Sequence, residues 1–378
     1  MRRIQIKPRN NWQAAVEKLG FGFHSTDVAY WDESAYYEFT MDEVLFIEQS
    51  TAELWDMCLE AVQHVIDNNL YENFKIPQSI VANIETTWNE DYPSIYGRFD
   101  FAYKNGTLKL LEFNADTPTS LYEAAIVQWF WLQDFDKSKD QFNSIHEKLI
   151  EYWKFLREYL FEGNLHFTCL KQSLEDLTTV EYLRDCAMQA GLDTKLVFID
   201  DIGWDRTRNA FVDMEEDVIK NIFKLYPYEW LLKDAFAEQL IKNGTNTIWI
   251  EPSWRMILSN KAILPVLWKL FPNHPLLLKS YFDEPKGLIN YAKKPILSRE
   301  GANVELIKFG ETIASSSGEY GNEGFVYQEL FELPNFSENY PVIGSWVVGQ
   351  QPAGMGIRES NGLITDNKSR FIPHLING

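Results

Sequence analysis

Tyr96-Gly-Arg-Phe-Asp-Phe-Ala-Tyr103, Lys104-Asn-Gly-Thr107 and Leu108-Lys-Leu-Leu-Glu-Phe-Asn-Ala-Asp-Thr-Pro-Thr-Ser120 form the stretch on which the fold turns. Two runs of alternating character flank an Asn-Gly pair, the pattern of a β-hairpin. Side chains alternate between the faces of a strand, so Arg98 and Asp100 share one face of the first run. Glu112 and Asn114 share one face of the second. Pairing of the runs can bring all four onto one surface. Two carboxylates and an amide oxygen are hard ligands suited to Mg²⁺, and an arginine beside them suits a phosphate or a carboxylate. The same four side chains would also serve as an ordinary charged surface hairpin.

Working outward, residues 9–75 read as mostly helical, with a long segment from Met41 to Leu70 whose apolar residues recur at helical spacing. Helices are predicted over Thr119–Trp131, with Glu123 in the first turns, and over Ser144–Tyr159. A strand–helix–strand order follows: Leu165–Cys169, Thr178–Ala190 ended by Gly191, and Thr194–Ile199. It predicts a small α/β layer, continued by Thr247–Ile250 and the helix Lys261–Leu270. Residues 284–378 turn rich in Gly, Pro and Ser, with strands at Phe325–Leu330 and Val342–Val348, and predict an antiparallel lobe. The expected division is 1–160, helical region plus hairpin; 161–280, central α/β region; and 281–378, antiparallel lobe with a loop able to close over phosphates.

The net charge of the 378-residue chain is −20, which argues against a general affinity for nucleic acid. It would weakly favour a cationic substrate such as an amine, or simply keep the chain soluble. Cys58, Cys169 and Cys186 stand far apart, with no CxxC or Cys/His spacing, as suits a reducing compartment. The first residues carry no apolar core and no apolar run reaches the ~20 residues of a membrane helix, so a cytoplasmic protein is expected. No GxSxG elbow is present, and the six histidines show no HExxH spacing, which leaves no support for a Ser/His or Cys/His hydrolase.

Three further stretches carry possible chemistry. Tyr291–Val304 holds Lys293 and Lys294 and then a turn with Gly301, able to close over phosphates although it matches neither a P-loop nor GxGxxG. Lys261 stands at a helix start, against the helix dipole, as an anionic ligand would explain. Gly354-Met-Gly-Ile-Arg358 leads small residues up to an arginine. Each also reads as an ordinary turn or a solvated side chain.

Taken together, Gly97-Arg-Phe-Asp100, Glu112-Phe-Asn-Ala-Asp116, Asn260-Lys-Ala-Ile-Leu-Pro-Val-Leu-Trp-Lys-Leu-Phe-Pro-Asn-His274 and Lys294-Pro295 resemble the synthetase domain of glutathionylspermidine synthases. The resemblance runs from about residue 15 to 375. It implies an α/β protein with an ATP-grasp fold and a preceding pre-ATP-grasp α/β domain, and an ATP-dependent ligation of a small-molecule or peptide carboxylate to an amine. It implies that Asp100, Glu112 and Asn114 hold two Mg²⁺ ions and that Arg98 faces the transferred phosphoryl group. Lys261 and Lys294 would contact the ATP phosphates, Gln328, Glu329 and Leu330 would lie along the strand that meets the adenine, and Arg358 would bind phosphate or the reacting carboxylate. Thr117 and Thr119 stand where the family has serines that touch the acid substrate, and Glu175, Asp176 and Glu181 lie near its acidic patch for the amine. Two departures, no room for an N-terminal amidase and a loop Ser298–Asn303 poor in glycine, resemble the shorter amidase-less acid–amine ligases of bacteria. A non-catalytic ATP-binding protein acting through a partner, or a phosphotransferase, is the alternative; dependence of turnover on an amine would separate these.

Overall fold

The computed structural model describes residues 1–25, 29–242, 246–366 and 368–377. The hairpin forms as its sequence dictates. Asn105 and Gly106 both adopt positive φ, 51° and 77°, the requirement of the tight turn whose twist suits a hairpin. Strands Tyr96–Lys104 and Thr107–Asn114 pair with Arg98 opposite Asn114 and Asp100 opposite Glu112, so the expected surface exists. A register shift between Asp100 and Phe101 follows directly on the carboxylate pair.

The hairpin is not confined to the first expected region. It is the edge of a five-stranded antiparallel sheet that continues through Tyr340–Val348, Gln351–Ser360 and Arg370–Ile372. Gly344 lies opposite Asp100 and Trp346 opposite Arg98, so the first and last expected regions share one sheet. On this sheet packs the helix Met41–Asp67. Thr40 caps it: its hydroxyl accepts from the Glu43 N–H while the Glu43 carboxylate accepts from the Thr40 N–H. A second helix, Gln78–Asn89, follows Pro77 where none was expected, because β-branched Ile80, Val81, Ile84, Thr86 and Thr87 dilute its helical signal.

A second five-stranded antiparallel sheet runs Ser280–Phe282, Phe325–Glu329, Asn290–Pro295, Glu305–Lys308, Glu311–Ser315. The expected α/β layer is a four-stranded parallel sheet in the order Ile248–Ile250, Asn221–Lys224, Leu165–Thr168, Thr194–Leu196. The strands Leu165–Thr168 and Asn221–Lys224 are buried throughout, as a covered parallel sheet requires. The helix Leu174–Gln189 joins two of its strands and begins four residues before its predicted start, at the cap Ser173.

A small sheet of Arg2–Gln5, Ala35–Thr40 and His374–Asn377 brings the two ends of the chain together. The helix expected over 119–131 starts after Ser120, whose φ is +67°, and opens with a π-turn at Glu123–Val127 before the α-helix Gln128–Phe135. Among the described residues no helix is long and apolar enough to cross a membrane.

Candidate active site

A continuous cleft runs between the two antiparallel sheets and the parallel layer. Its centre is walled by Arg98, Asp100, Glu112 and Asn114 from the hairpin, by Arg358, and by Ser298–Gly301 from the loop after Asn290–Pro295. Asp100 and Glu112 also border an apolar slot on one side, and Thr117, Thr119 and Arg299 also border an acidic recess on the other. The slot has a volume of about 570 Å³, within the range of small-molecule sites. Ala292, Val304, Leu306, Leu330 and Ile364 line it, and Lys294, Gln328 and Glu329 edge it.

At the centre, Arg98 clasps Asp100 through two parallel bonds, Nε to Oδ1 at 2.6 Å and Nη2 to Oδ2 at 2.9 Å. Asn114 gives its amide N–H to the same carboxylate at 3.1 Å. Lys261 Nζ lies 3.2 Å from Glu112 and donates to the Ser298 carbonyl at 3.0 Å. Burial pushes the Asp100 carboxyl up and Arg98 opposes it. Burial also acts to raise Glu112, but Lys261 and Lys294 outweigh it and hold that carboxyl at about 2. Glu112 is therefore an anion at any working pH. The donor set, two carboxylates and an amide on adjacent strands, is all oxygen and fits Mg²⁺. Among the described residues, a cluster of three carboxylates close enough to share a cation lies elsewhere, at Asp213, Glu215 and Asp217. Lys195 fills that cluster, reaching the three carboxylates at 3.1, 2.7 and 2.6 Å, so it is a closed ion-pair knot.

Lys294 Nζ donates to the Leu111 carbonyl at 2.9 Å and to Gln328 Oε1 at 2.7 Å. Burial drives its ammonium down to about 8 against the pull of Glu112. The Gln328 amide is spent on Lys294 and on the Leu110 carbonyl, which makes it a holder of the lysine. Glu329 and Leu330 face the slot itself.

Across the centre, Thr117 Oγ1 accepts from Arg299, and the Thr119 carbonyl accepts from Arg98. Glu175 and Asp176 sit in the first turn of Leu174–Gln189 and line the acidic recess. Burial, then the nearby Glu123, pushes the Glu175 carboxyl up to about 7. Burial also raises Asp176. Glu181 is the residue of the predicted set that the fold does not bring in. Six residues beyond Glu175 it is turned to another face of the helix, where it pairs with Arg184 at 2.8 Å.

Several residues of the site escaped the sequence reading. Arg299 reaches from the loop to Thr117, lies over the Trp230 ring at 5.2 Å and stands 3.8 Å from Glu229. Asp116 is ion-paired to Lys224 with both side chains buried, and it accepts from the Tyr228 N–H at 3.1 Å. That pair ties the loop carrying Thr117 and Thr119 to the parallel sheet. Asp116 belongs to the Glu112–Asp116 motif, which could have drawn attention to it; no pattern in the sequence marks Lys224 as its partner. Arg98, Lys261, Lys294, Arg299 and Arg358 thus gather around the centre of one cleft in a chain with net charge −20.

Residues 3–377 match the family described as glutathionylspermidine synthase preATP-grasp. The chain is 44% identical to a Haemophilus influenzae protein named "putative acid–amine ligase", over 99% of both chains. It is 31% identical to trypanothione synthetase of Crithidia fasciculata, over 84% of this chain and 53% of that protein. It is 28% identical to the bifunctional glutathionylspermidine synthetase/amidase of Escherichia coli, over 91% of this chain and 60% of that protein. The chain thus spans little more than half the length of those two longer relatives. In fold it is similar to the ligand-free glutathione synthetase-like effector of Globodera pallida, with a TM-score of 0.55 at 11% identity over 90% of this chain and 89% of that one.

Proposed function

The chain belongs to the glutathionylspermidine synthase family of ATP-dependent carboxylate–amine ligases, with an ATP-grasp fold, and from that premise we propose that its cleft joins a carboxylic acid to an amine through an acyl phosphate. The observation that carries this reading is the order along the cleft: an apolar slot, a centre of cations and hard oxygen ligands, then an acidic recess. A nucleotide, a transferred phosphoryl group and a protonated amine ask for those three environments in that order.

A carboxylate is a poor electrophile, so it must first take a phosphoryl group. The acid's oxygen attacks the γ-phosphorus, ADP leaves, and the amine nitrogen then displaces phosphate from the acyl carbon. In this reading Leu330 and Glu329 border the base in the slot, and Lys294 and Lys261 hold the phosphates. Asp100, Glu112 and Asn114 would hold two Mg²⁺ ions, which supply charge neutralisation to the phosphoryl group in flight. Engaging that group requires Arg98 to trade Asp100 for it; a planar fork can do so without changing the geometry of its bonds. Arg358 meets the acid's carboxylate or the phosphate, and Thr117 and Thr119 flank the acid. The loop at 294–303 excludes water, which would otherwise hydrolyse the acyl phosphate. Glu175, whose carboxyl lies at about 7, takes the proton that the ammonium must lose, with Asp176 beside it attracting the cation. The parallel layer supplies that recess and is assigned to the preceding α/β domain. We place the reaction in the cytoplasm, where three buried free thiols suit the reducing conditions.

The test is phosphate release from Mg·ATP with pooled acids, glutathione among them, crossed with pooled amines, spermidine among them. Release that needs one acid and one amine together is expected. ADP formed with the acid alone, the phosphoryl group remaining on the acid, would replace the ligase by a phosphotransferase. Tight Mg·ATP binding with no release in any combination would favour a protein that acts through a partner.

A further inference from the structure

Two arginines reach the centre of the cleft, and they are anchored by different chemistry. Arg98 is clasped by the Asp100 carboxylate. Arg358 has no carboxylate within ion-pairing distance among the described residues. Its Nη2 donates to the Asp366 carbonyl at 2.8 Å and its Nη1 to Ser120 Oγ at 3.3 Å. Its Nε is buried and has no partner.

Behind Ser120 a chain of buried groups continues. Ser120 Oγ lies 2.9 Å from the Tyr30 hydroxyl, and that hydroxyl donates to Glu123 Oε1 at 2.5 Å. Tyrosine has one proton, and it is donated in the bond to Glu123, which accepts. The proton between Ser120 and Tyr30 must therefore come from Ser120. The serine oxygen then keeps lone pairs for Arg358. All donors point one way: Arg358 to Ser120, Ser120 to Tyr30, Tyr30 to Glu123. The Tyr30 ring also underlies the Arg358 guanidinium, 5.5 Å from its centroid.

The backbone is bent to build this chain. Ser120 has φ +67°, a conformation non-glycine residues avoid, and Glu123 opens the π-turn, an element frequent at functional sites. The strand bearing Arg358 comes in against that turn. A Cβ at Gly356 would lie 3.3 Å from Ala124 and 2.7 Å from the Phe371 ring, so only glycine allows the approach.

We infer that Tyr30, Ser120 and Glu123 are positioning residues for Arg358, fixing the guanidinium through two neutral hydroxyls rather than a carboxylate, so that it is held in place with its charge left for an anion in the cleft. The inference rests on the reading of Arg358 as an anion-binding group.

The test is calorimetric titration of inorganic phosphate into the full chain saturated with Mg·ADP. Tyr30→Phe keeps the ring under Arg358 and removes only the relay. It should weaken phosphate by about tenfold, the scale of one well-placed hydrogen bond, with Mg·ADP affinity held and the melting temperature lowered as the buried Glu123 loses its hydroxyl partner. Glu123→Leu should repeat that loss, and Glu123→Gln, which keeps an oxygen to accept from Tyr30, should recover most of it. Arg358→Lys should weaken phosphate too, and adding Tyr30→Phe to it should cost nothing more. Wild-type affinity in Tyr30→Phe, or losses that add with Arg358→Lys, would overturn the inference and leave the role of Arg358 standing. Undiminished affinity in Arg358→Lys, or no phosphate uptake by the wild type, would instead overturn that role and the inference with it.

Discussion

At the scale of the residue, Glu112 and Lys294 set each other's state. The lysine helps to hold the carboxyl at about 2, while burial holds the ammonium at about 8. A base lowered in this way opposes folding while it must stay charged, and that cost fades as pH rises from about 8 towards 10.5, its ordinary value. Nucleotide phosphates reverse the preference. Binding of Mg·ADP at about pH 8.5 should therefore draw a proton from the buffer, seen as an apparent enthalpy that varies with the buffer's ionisation enthalpy. Lys294→Arg, charged throughout, should bind with no such dependence; if the dependence persists, another group is taking up the proton. Glu112→Ala should lower Mg²⁺-dependent turnover by about a hundredfold or more with the fold intact, because it removes the ligand the centre keeps ionised. Wild-type rates in that variant would move the metal site off the hairpin. The pairs across the hairpin were legible because strand periodicity alone puts Asp100 and Glu112 on one face. The contact of Arg299 with Thr117 spans 182 residues, and no local pattern encodes it.

At the scale of the element, the hairpin is held at both ends by one buried arginine. Arg255 donates to the Tyr96 carbonyl, before the Asp100–Glu112 pair, and to the Ala115 carbonyl, after it, at 2.8 Å for the latter. Gly97 exists to let that guanidinium in. A Cβ there would stand 2.8 Å from Arg255 Nη2 and 2.7 Å from the Phe113 ring. Gly97→Ala should cost about 1–3 kcal/mol in chemical denaturation, the usual range for an overpacked core, and should weaken Mg²⁺ as the clamp shifts. An unchanged midpoint would mean that the clamp yields freely. The sequence showed the glycine but not its reason, since Arg255 lies more than 150 residues away. The strands at Leu165–Thr168, Thr194–Leu196 and Ile248–Ile250 were legible from short apolar runs, whereas the strand Asn221–Lys224 and the cap Ser173 were not. The π-turn was not, because over one turn its apolar spacing resembles an ordinary helix.

At the scale of the molecule, Asp116 and Lys224 join the loop after the hairpin to the parallel layer through an ion pair shielded from water. Lys224→Met would leave the Asp116 charge buried alone, and removal of one partner of such a pair costs about 3–5 kcal/mol. The expected result is a lower unfolding midpoint, partly restored by adding Asp116→Leu; a midpoint unchanged in the single variant would show that water reaches the pair. The boundaries expected near 160 and 280 are crossed by one sheet for a related reason. Sheet membership follows pairing rather than proximity along the chain, and Tyr340–Val348 pairs with Tyr96–Lys104 across more than 200 residues.

That pairing has a consequence for how the protein comes into being on the ribosome. Every proposed metal ligand has been translated by residue 114, yet the strand that backs them is not made until residue 348. A lone two-stranded hairpin is marginal in water, so a nascent chain carries its acidic ligands for most of its synthesis without a stable surface to present them. The ligands of the centre are written more than 200 residues before the strand that completes their sheet. A chain released before residue 340 should consequently display neither a rigid hairpin nor a competent magnesium site, whatever else has folded by then.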